Sequence, residues 1–243
     1  MSGRVRAAVG AVGELCITAG VLVLLFVTWQ LWWTDVAAAD DQRAAVAAVQ
    51  QTWSGPAPAD APAPEDAPVP AEPPVLPEPA QDGEGFAVVH VPRFGEGWQV
   101  AAEQGVGLRA VLNDGVLGHY AGTAMPGGLG NFALAGHRTT YGAPLSAVAD
   151  LQVGDPLVVE TADGWYVYRV SGTEVVSPDR VDVIAAVPGD PAAAPTQRLI
   201  TLTACHPRFS ARQRYVVHGV LDSFSPRDGR PPAALGAGSS GGV

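Results

Sequence analysis

From Leu15 to Trp33 the chain reads LCITAGVLVLLFVTWQLWW, nineteen residues without a charge. At 1.5 Å of rise per residue, a helix of that length crosses the roughly 30 Å hydrocarbon core of a bilayer. The span therefore predicts a transmembrane helix over 15–33. Arg4 and Arg6 precede it, whereas Asp35, Asp40 and Asp41 come after it, so residues 1–14 are expected in the cytoplasm and the rest outside. Trp29, Trp32 and Trp33 fall where an outer aromatic belt would sit. A cleaved signal peptide is the competing reading, because Ala37, Ala38 and Ala39 offer a small-residue cleavage site. Signal cores run to only about 7–15 residues, however, and this one is longer and ends in tryptophans. Both readings export the remainder of the chain.

Residues 34–54 are rich in Ala and Gln, with Val46 and Val49 on one side, and are expected to continue the helix. From Gly55 to Ala80 ten prolines alternate with Ala, Asp and Glu, a composition that favours extended polyproline II over a packed core. At about 3.1 Å per residue this spacer reaches on the order of 80 Å. The linker is drawn over 55–85, a folded domain over 86–224, and a disordered Gly-, Ser- and Pro-rich tail over 225–243. The folded part, roughly 140 residues, is one ordinary domain.

Short β-branched and aromatic runs fill that domain: FAVVHVP at 86–92, NFALAGH at 131–137, PLVVET at 156–161, GWYVYRVSGTEVVS at 164–177, RLITLTAC at 198–205 and RYVVHGVL at 214–221. Bounded by Gly, Pro and Asp, each reads as a strand, and the repeated short form predicts a mainly β closed barrel or sandwich. Helical turns are expected near 105–112, 143–150 and 179–187.

The formal charge of −10, and the lack of any clustered basic surface, argue against nucleic acid as a partner. All 14 basic residues are Arg, which together with abundant Ala, Gly and Pro is the bias of a GC-rich genome. There are two cysteines, Cys16 and Cys205. With Cys16 in lipid they cannot approach to disulfide distance, leaving Cys205 an unpaired thiol outside the cell, where structural cysteines are usually bridged. No Cys/His cluster suggests a metal, and no cofactor is expected.

Among five histidines, His137 ends an apolar run and opens the loop AGHRTTYGAP, the kind of place where a scaffold displays functional groups. His90 and His218 fall inside strands and read as fillers, His206 reads as a loop residue, and His119 is left unassigned. Cys205 closes LITLTAC, and the loop HPRFSARQ leads into a strand beginning near Arg214. So short a connection makes the two strands antiparallel neighbours, which brings an arginine close to the thiol. A neighbouring cation favours a thiolate, and a guanidinium can also hold an oxyanion. Pattern alone does not choose between Arg212 and Arg214.

TLTACHPRFSAR at 201–212 with Arg214, and NFALAGHRTTYGAP at 131–144, resemble the paired catalytic signature of the sortases, in the detail of class E, the housekeeping class of actinobacteria. The likeness extends from about 86 to 222 and includes the GHY at 118–120; its two motifs lie 68 residues apart. It departs at Ala204, where Thr usually precedes the cysteine. The resemblance implies a sortase-type barrel of about eight strands with short helices, and catalytic His137, Cys205 and Arg214, this last residue chosen over Arg212. Tyr120 and Thr203 resemble positions near the signal groove, and ordinary barrel packing explains them equally well. It also implies partners: secreted proteins with a C-terminal Leu-Ala/Pro-X-Thr-Gly sorting signal, and a lipid-linked peptidoglycan precursor whose amine receives the acyl group. Two alternatives from other classes stand beside this one, an exported cysteine peptidase releasing its product to water and a noncatalytic wall-binding barrel.

Overall fold

The computed structural model describes residues 3–53, 72–227 and 231–236; side chains at 4–9, 27–28 and 30–37 lie outside the description. Also outside it are most of the expected polyproline spacer, 55–71, and parts of the expected disordered tail, 228–230 and 237–243. The chain divides into two units, Met1–Asp40 and Asp41–Val243.

Helix α1, Gly3–Trp53, supplies the first unit. There the described apolar side chains, among them Leu15, Ile17, Leu22, Leu24 and Phe26, stand exposed. Among the described residues no helix is long and apolar enough to cross a membrane; the expected span at 15–33 includes undescribed side chains at 27–28 and 30–33.

The second unit is built on eight strands: β1 Gly85–His90, β2 Gln99–Gln104, β3 Leu117–His119, β4 Gly130–Ala135, β5 Pro156–Glu160, β6 Gly164–Val176, β7 Arg198–His206 and β8 Gln213–Pro226. They close in the order β1-β2-β3-β4-β7-β8-β6-β5, with β5 returning to β1. Closure leaves no free edge, so nearly every strand N–H and C=O is paired. Two pairs are parallel, β2 with β3 and β4 with β7, and the rest antiparallel. Short 3-10 turns at Leu112–Asp114, Val148–Asp150 and Val181–Ile184 fall in or beside the expected helical stretches.

Alternation along each strand decides what fills the barrel. Ile200, Leu202 and Ala204 of β7 join Val89, Phe132, Leu134, Leu157, Tyr166 and Tyr168 in the interior. Val88 and Ala101 face outward, where they meet Val46 and Val49 of α1 together with Val111, Leu112, Val116 and Ala135. The last turns of α1 are therefore part of the barrel's wall. Each buried valine contributes about 1.5–3 kcal/mol as an upper bound. Gln42 Nε2 adds a hydrogen bond to the Gly115 carbonyl at 2.9 Å. Gly85 has no side chain because a Cβ there would overlap Val49 Cγ2.

Glu103 lies against Gly85 in this layer. Burial, and secondarily the charge of Asp114, push its carboxyl from 4.5 up to about 7. Because the folded value is raised, the stabilising contribution is complete below about pH 4.5 and is lost as pH rises through 7. Glu103→Gln, which cannot ionise, is expected to melt a few degrees above the parent at pH 8, on the order of 1–2 kcal/mol after discounting the shift for solvent screening of a half-buried group, and alike near pH 4.5. Melting curves that coincide at pH 8 would show the carboxylate to be well solvated.

Two boundaries move from the expected ones. Residues 72–84, expected as linker, lie on the barrel: Tyr166 Oη donates to the Pro74 carbonyl at 2.7 Å, and Leu76 packs on the interior cluster. Glu78 accepts from Gln104 Nε2 at 2.7 Å and from the Gly122 N–H at 2.8 Å. At the other end, the tail expected to be disordered from 225 is ordered where described. β8 continues to Pro226 because β6 pairs with it that far, and Ala234 and Leu235 cover Val158, Trp165 and Val167. Arg227 donates to Glu160 Oε1 at 2.6 Å and sits 4.5 Å from the Trp53 ring centroid. Glu160 also receives His90 Nε2 at 3.0 Å and Gln50 Nε2 at 3.3 Å. Burial works against its ionisation, but His90 and Arg227 outweigh it and hold the carboxyl below its usual value.

Candidate active site

The β7–β8 ladder sets Cys205 directly opposite Arg214. β8 begins at Gln213, so Arg214 lies on the strand and Arg212 in the preceding loop. β4 runs parallel to β7 with Gly130 beside Arg198 and Ala135 beside Thr203, and the Gly136 N–H donates to the Thr203 carbonyl at 3.1 Å. Continued two residues, that register puts His137 beside Cys205. The 68-residue spacing between the motifs is thus the constant offset of this parallel pair.

The three side chains line one groove of about 220 Å³, whose walls include Leu108, Leu112, Tyr120, Ala135 and Thr203. Cys205 is part-exposed and free. His137 Nε2 lies 3.1 Å from Asn113 Oδ1, and its ring stacks on Tyr141 at a centroid distance of 5.0 Å. An amide oxygen only accepts, so Nε2 carries the proton and donates. Nδ1 is left to exchange a proton in the groove. Burial lowers the imidazole's pKa from 6.5. Arg214 Nη1 donates to the carbonyls of Ala211 at 3.0 Å and Gln213 at 3.1 Å. These bonds fix one arm of the fork on its own hairpin and leave the others available to a ligand.

Tyr120 and Thr203 also meet here, their hydroxyls 2.9 Å apart. Ala204 packs into the barrel interior. The other histidines sit elsewhere in the hydrogen-bond network. His119 is buried between Gln104, Thr123 and the Ala124 carbonyl, and His218 bonds Thr201 and Glu174. His206, expected in a loop, instead ends β7, where Arg138 Nη1 reaches its Nδ1 at 2.7 Å. Among the described residues no group of His, Cys, Asp and Glu could hold a metal ion. Sequence reasoning missed Asn113, Tyr141 and Arg138, because their partners are identified only by the folded ladder.

Cys205 thus stands opposite Arg214, with His137 two residues beyond the end of the parallel strand β4. The Sortase domain model matches residues 89–222. The chain belongs to the sortase family. Its members are cysteine transpeptidases, and the similarity runs to class E. The sortase is 38% identical over 231 residues to Sortase SrtE1 of Streptomyces coelicolor, covering 93% of this chain; it spans 60% of that relative's length. Among solved structures it is similar to the SrtA sortase from Actinomyces oris, with TM-score 0.63, 38% identity and coverage of 68% of this chain and 94% of that one. It is also similar to Sortase E1 from Streptomyces coelicolor with a tripeptide in the active site, with TM-score 0.59, 40% identity and coverage of 63% and 97%.

Proposed function

We propose that this sortase cleaves a C-terminal Leu-Ala/Pro-X-Thr-Gly signal between Thr and Gly and transfers the acyl part to a cell-wall precursor amine. The observation that carries the reading is the placement of Cys205, Arg214 and His137 around one groove. The tripeptide held in the active site of the similar Sortase E1 supports a peptide ligand.

The Cys205 sulfur, as thiolate, attacks the threonine carbonyl carbon. The C=O π pair moves to oxygen, and Arg214 donates to that oxyanion. Collapse breaks the Thr–Gly bond, and protonated His137 gives its Nδ1 proton to the departing glycine amine, leaving a thioester. An incoming amine then attacks the thioester carbon and loses its proton to neutral His137. Collapse expels the thiolate and leaves a new amide. No redox change and no external oxidant enter. The partly buried imidazole is an acid that gives up its proton readily, which suits the first proton transfer. Tyr120 and Thr203, on the groove wall, are assigned to the signal peptide.

Mass spectrometry of residues 41–236 mixed with Leu-Ala-X-Thr-Gly or Leu-Pro-X-Thr-Gly peptide tests the reading. The expected result is an acyl adduct on Cys205 that moves onto an added amine. Hydrolysis without amine incorporation would make the enzyme a peptidase instead.

We further propose that residues 15–33 anchor the enzyme with its N-terminus in the cytoplasm and the barrel outside. Support comes from the uncharged run, its flanking charges and the exposed apolar side chains of α1. Protease added to intact protoplasts is expected to digest the barrel and spare an N-terminal tag. The reverse pattern overturns the topology.

A further inference from the structure

Arg138, immediately after His137, is 8% exposed, yet among the described residues it forms no ion pair with a carboxylate. Its Nη1 donates to His206 Nδ1 at 2.7 Å and to the Cys205 carbonyl at 3.4 Å. Its guanidinium carbon lies 5.5 Å from the Tyr215 ring centroid, and its Nε is buried with no hydrogen-bond partner. A buried cation is costly unless paired, and an orphaned buried N–H adds to the cost. Fold stability alone therefore does not account for an arginine here. Residues that break such a rule tend to sit at functional sites.

What distinguishes this position is what it joins. Arg138 comes from the segment that carries His137, and both its acceptors come from the strand end that carries Cys205. The last main-chain link between those segments is the bond from the Gly136 N–H to the Thr203 carbonyl, one residue before His137 and two before Cys205. Arg138 supplies a clamp beyond that point. Its Nη1 ties the Cys205 carbonyl and the His206 ring to the segment that carries His137. On Tyr215, the residue after Arg214, the same guanidinium rests as a cation on a ring face.

We propose that Arg138 is a positioning residue for the transpeptidation. It locks the spacing of His137 and Cys205 and holds a fixed positive charge at the backbone carbonyl of the residue whose sulfur attacks, where it favours the thiolate and the oxyanion formed on the substrate's carbonyl oxygen. The inference rests on Cys205 as nucleophile. It assigns no contact between Arg138 and substrate.

The test uses the full chain in detergent, with Arg138→Met removing charge and fork and Arg138→Lys keeping the charge but not the fork. Rates are normalised to the folded fraction measured by circular dichroism. Arg138→Met is expected to lower kcat by about tenfold to a hundredfold, the scale of a misplacement near 1 Å, while KM for the signal peptide stays within threefold. Alkylation of Cys205 by iodoacetamide at neutral pH is expected to slow about tenfold. Arg138→Lys should recover part of both losses. A folded Arg138→Met enzyme with wild-type kcat and alkylation overturns the proposal, as does a loss confined to melting temperature. Should Arg138→Met not fold, a folded Arg138→Lys enzyme acylating at the wild-type rate overturns it equally. Wild-type acylation is the control: its absence would overturn the cysteine mechanism itself, a result distinct from failure of the Arg138 proposal.

Discussion

Cys205→Ser is expected to leave a folded barrel that forms no acyl adduct, with turnover below about a thousandth of the parent's. The substitution is nearly isosteric at a part-exposed position, so the melting temperature should shift by no more than a few degrees. A serine hydroxyl is a far weaker nucleophile than a thiolate, and the groove offers it only an imidazole already committed to Asn113 at one nitrogen. Cys16→Ser should behave as the parent. Mass spectrometry after mixing with signal peptide, with melting measured in parallel, checks both. An adduct in the Cys205 variant would end the cysteine mechanism.

Arg214→Ala is expected to slow single-turnover acylation by roughly a hundredfold to a thousandfold, the usual loss for one oxyanion donor. The fork is preorganised by its bonds to the Ala211 and Gln213 carbonyls. Lysine, with a compact ammonium, cannot keep those bonds and still present donors to the groove, so Arg214→Lys should rescue poorly. The neighbouring arginines serve as controls. Arg208 donates to the Ser146 carbonyl at 3.0 Å from an exposed position, and the Arg212 N–H donates to Ser210 Oγ at 3.3 Å. Alanine at either should change the rate by a few-fold only. A dead Arg212→Ala enzyme beside a normal Arg214→Ala enzyme would move the catalytic arginine two residues earlier.

The six strands rich in β-branched and aromatic residues were legible because their side chains meet neighbours on both faces of the wall. β2 and β3 were not. QVAAEQ holds one β-branched residue, and LGH is three residues long; both owe their strand form to pairing with partners and with each other. The end of β8 runs past its expected boundary for a similar reason, since Asp222–Pro226 has Phe224 as its one large apolar residue and stays extended by pairing with β6. At the site, Cys205, His137 and Arg214 stood out through their motifs. Asn113 carries no signal of its own: it lies 24 residues from the histidine it orients. Arg138 is 67 residues from the carbonyl it holds, and nothing local distinguishes it from a solvated loop arginine.

The parallel pairing of β4 with β7 has a consequence for how the enzyme comes into being. Between those strands the chain must first lay down β5 and β6, and β8 must be added before the ring can shut. Pairings this remote in sequence make for slow folding, typically milliseconds to seconds in β-rich domains. Until β7 seats beside β4, the thiol has neither imidazole nor groove. A newly synthesised chain is therefore a dormant catalyst until β7 has seated beside β4.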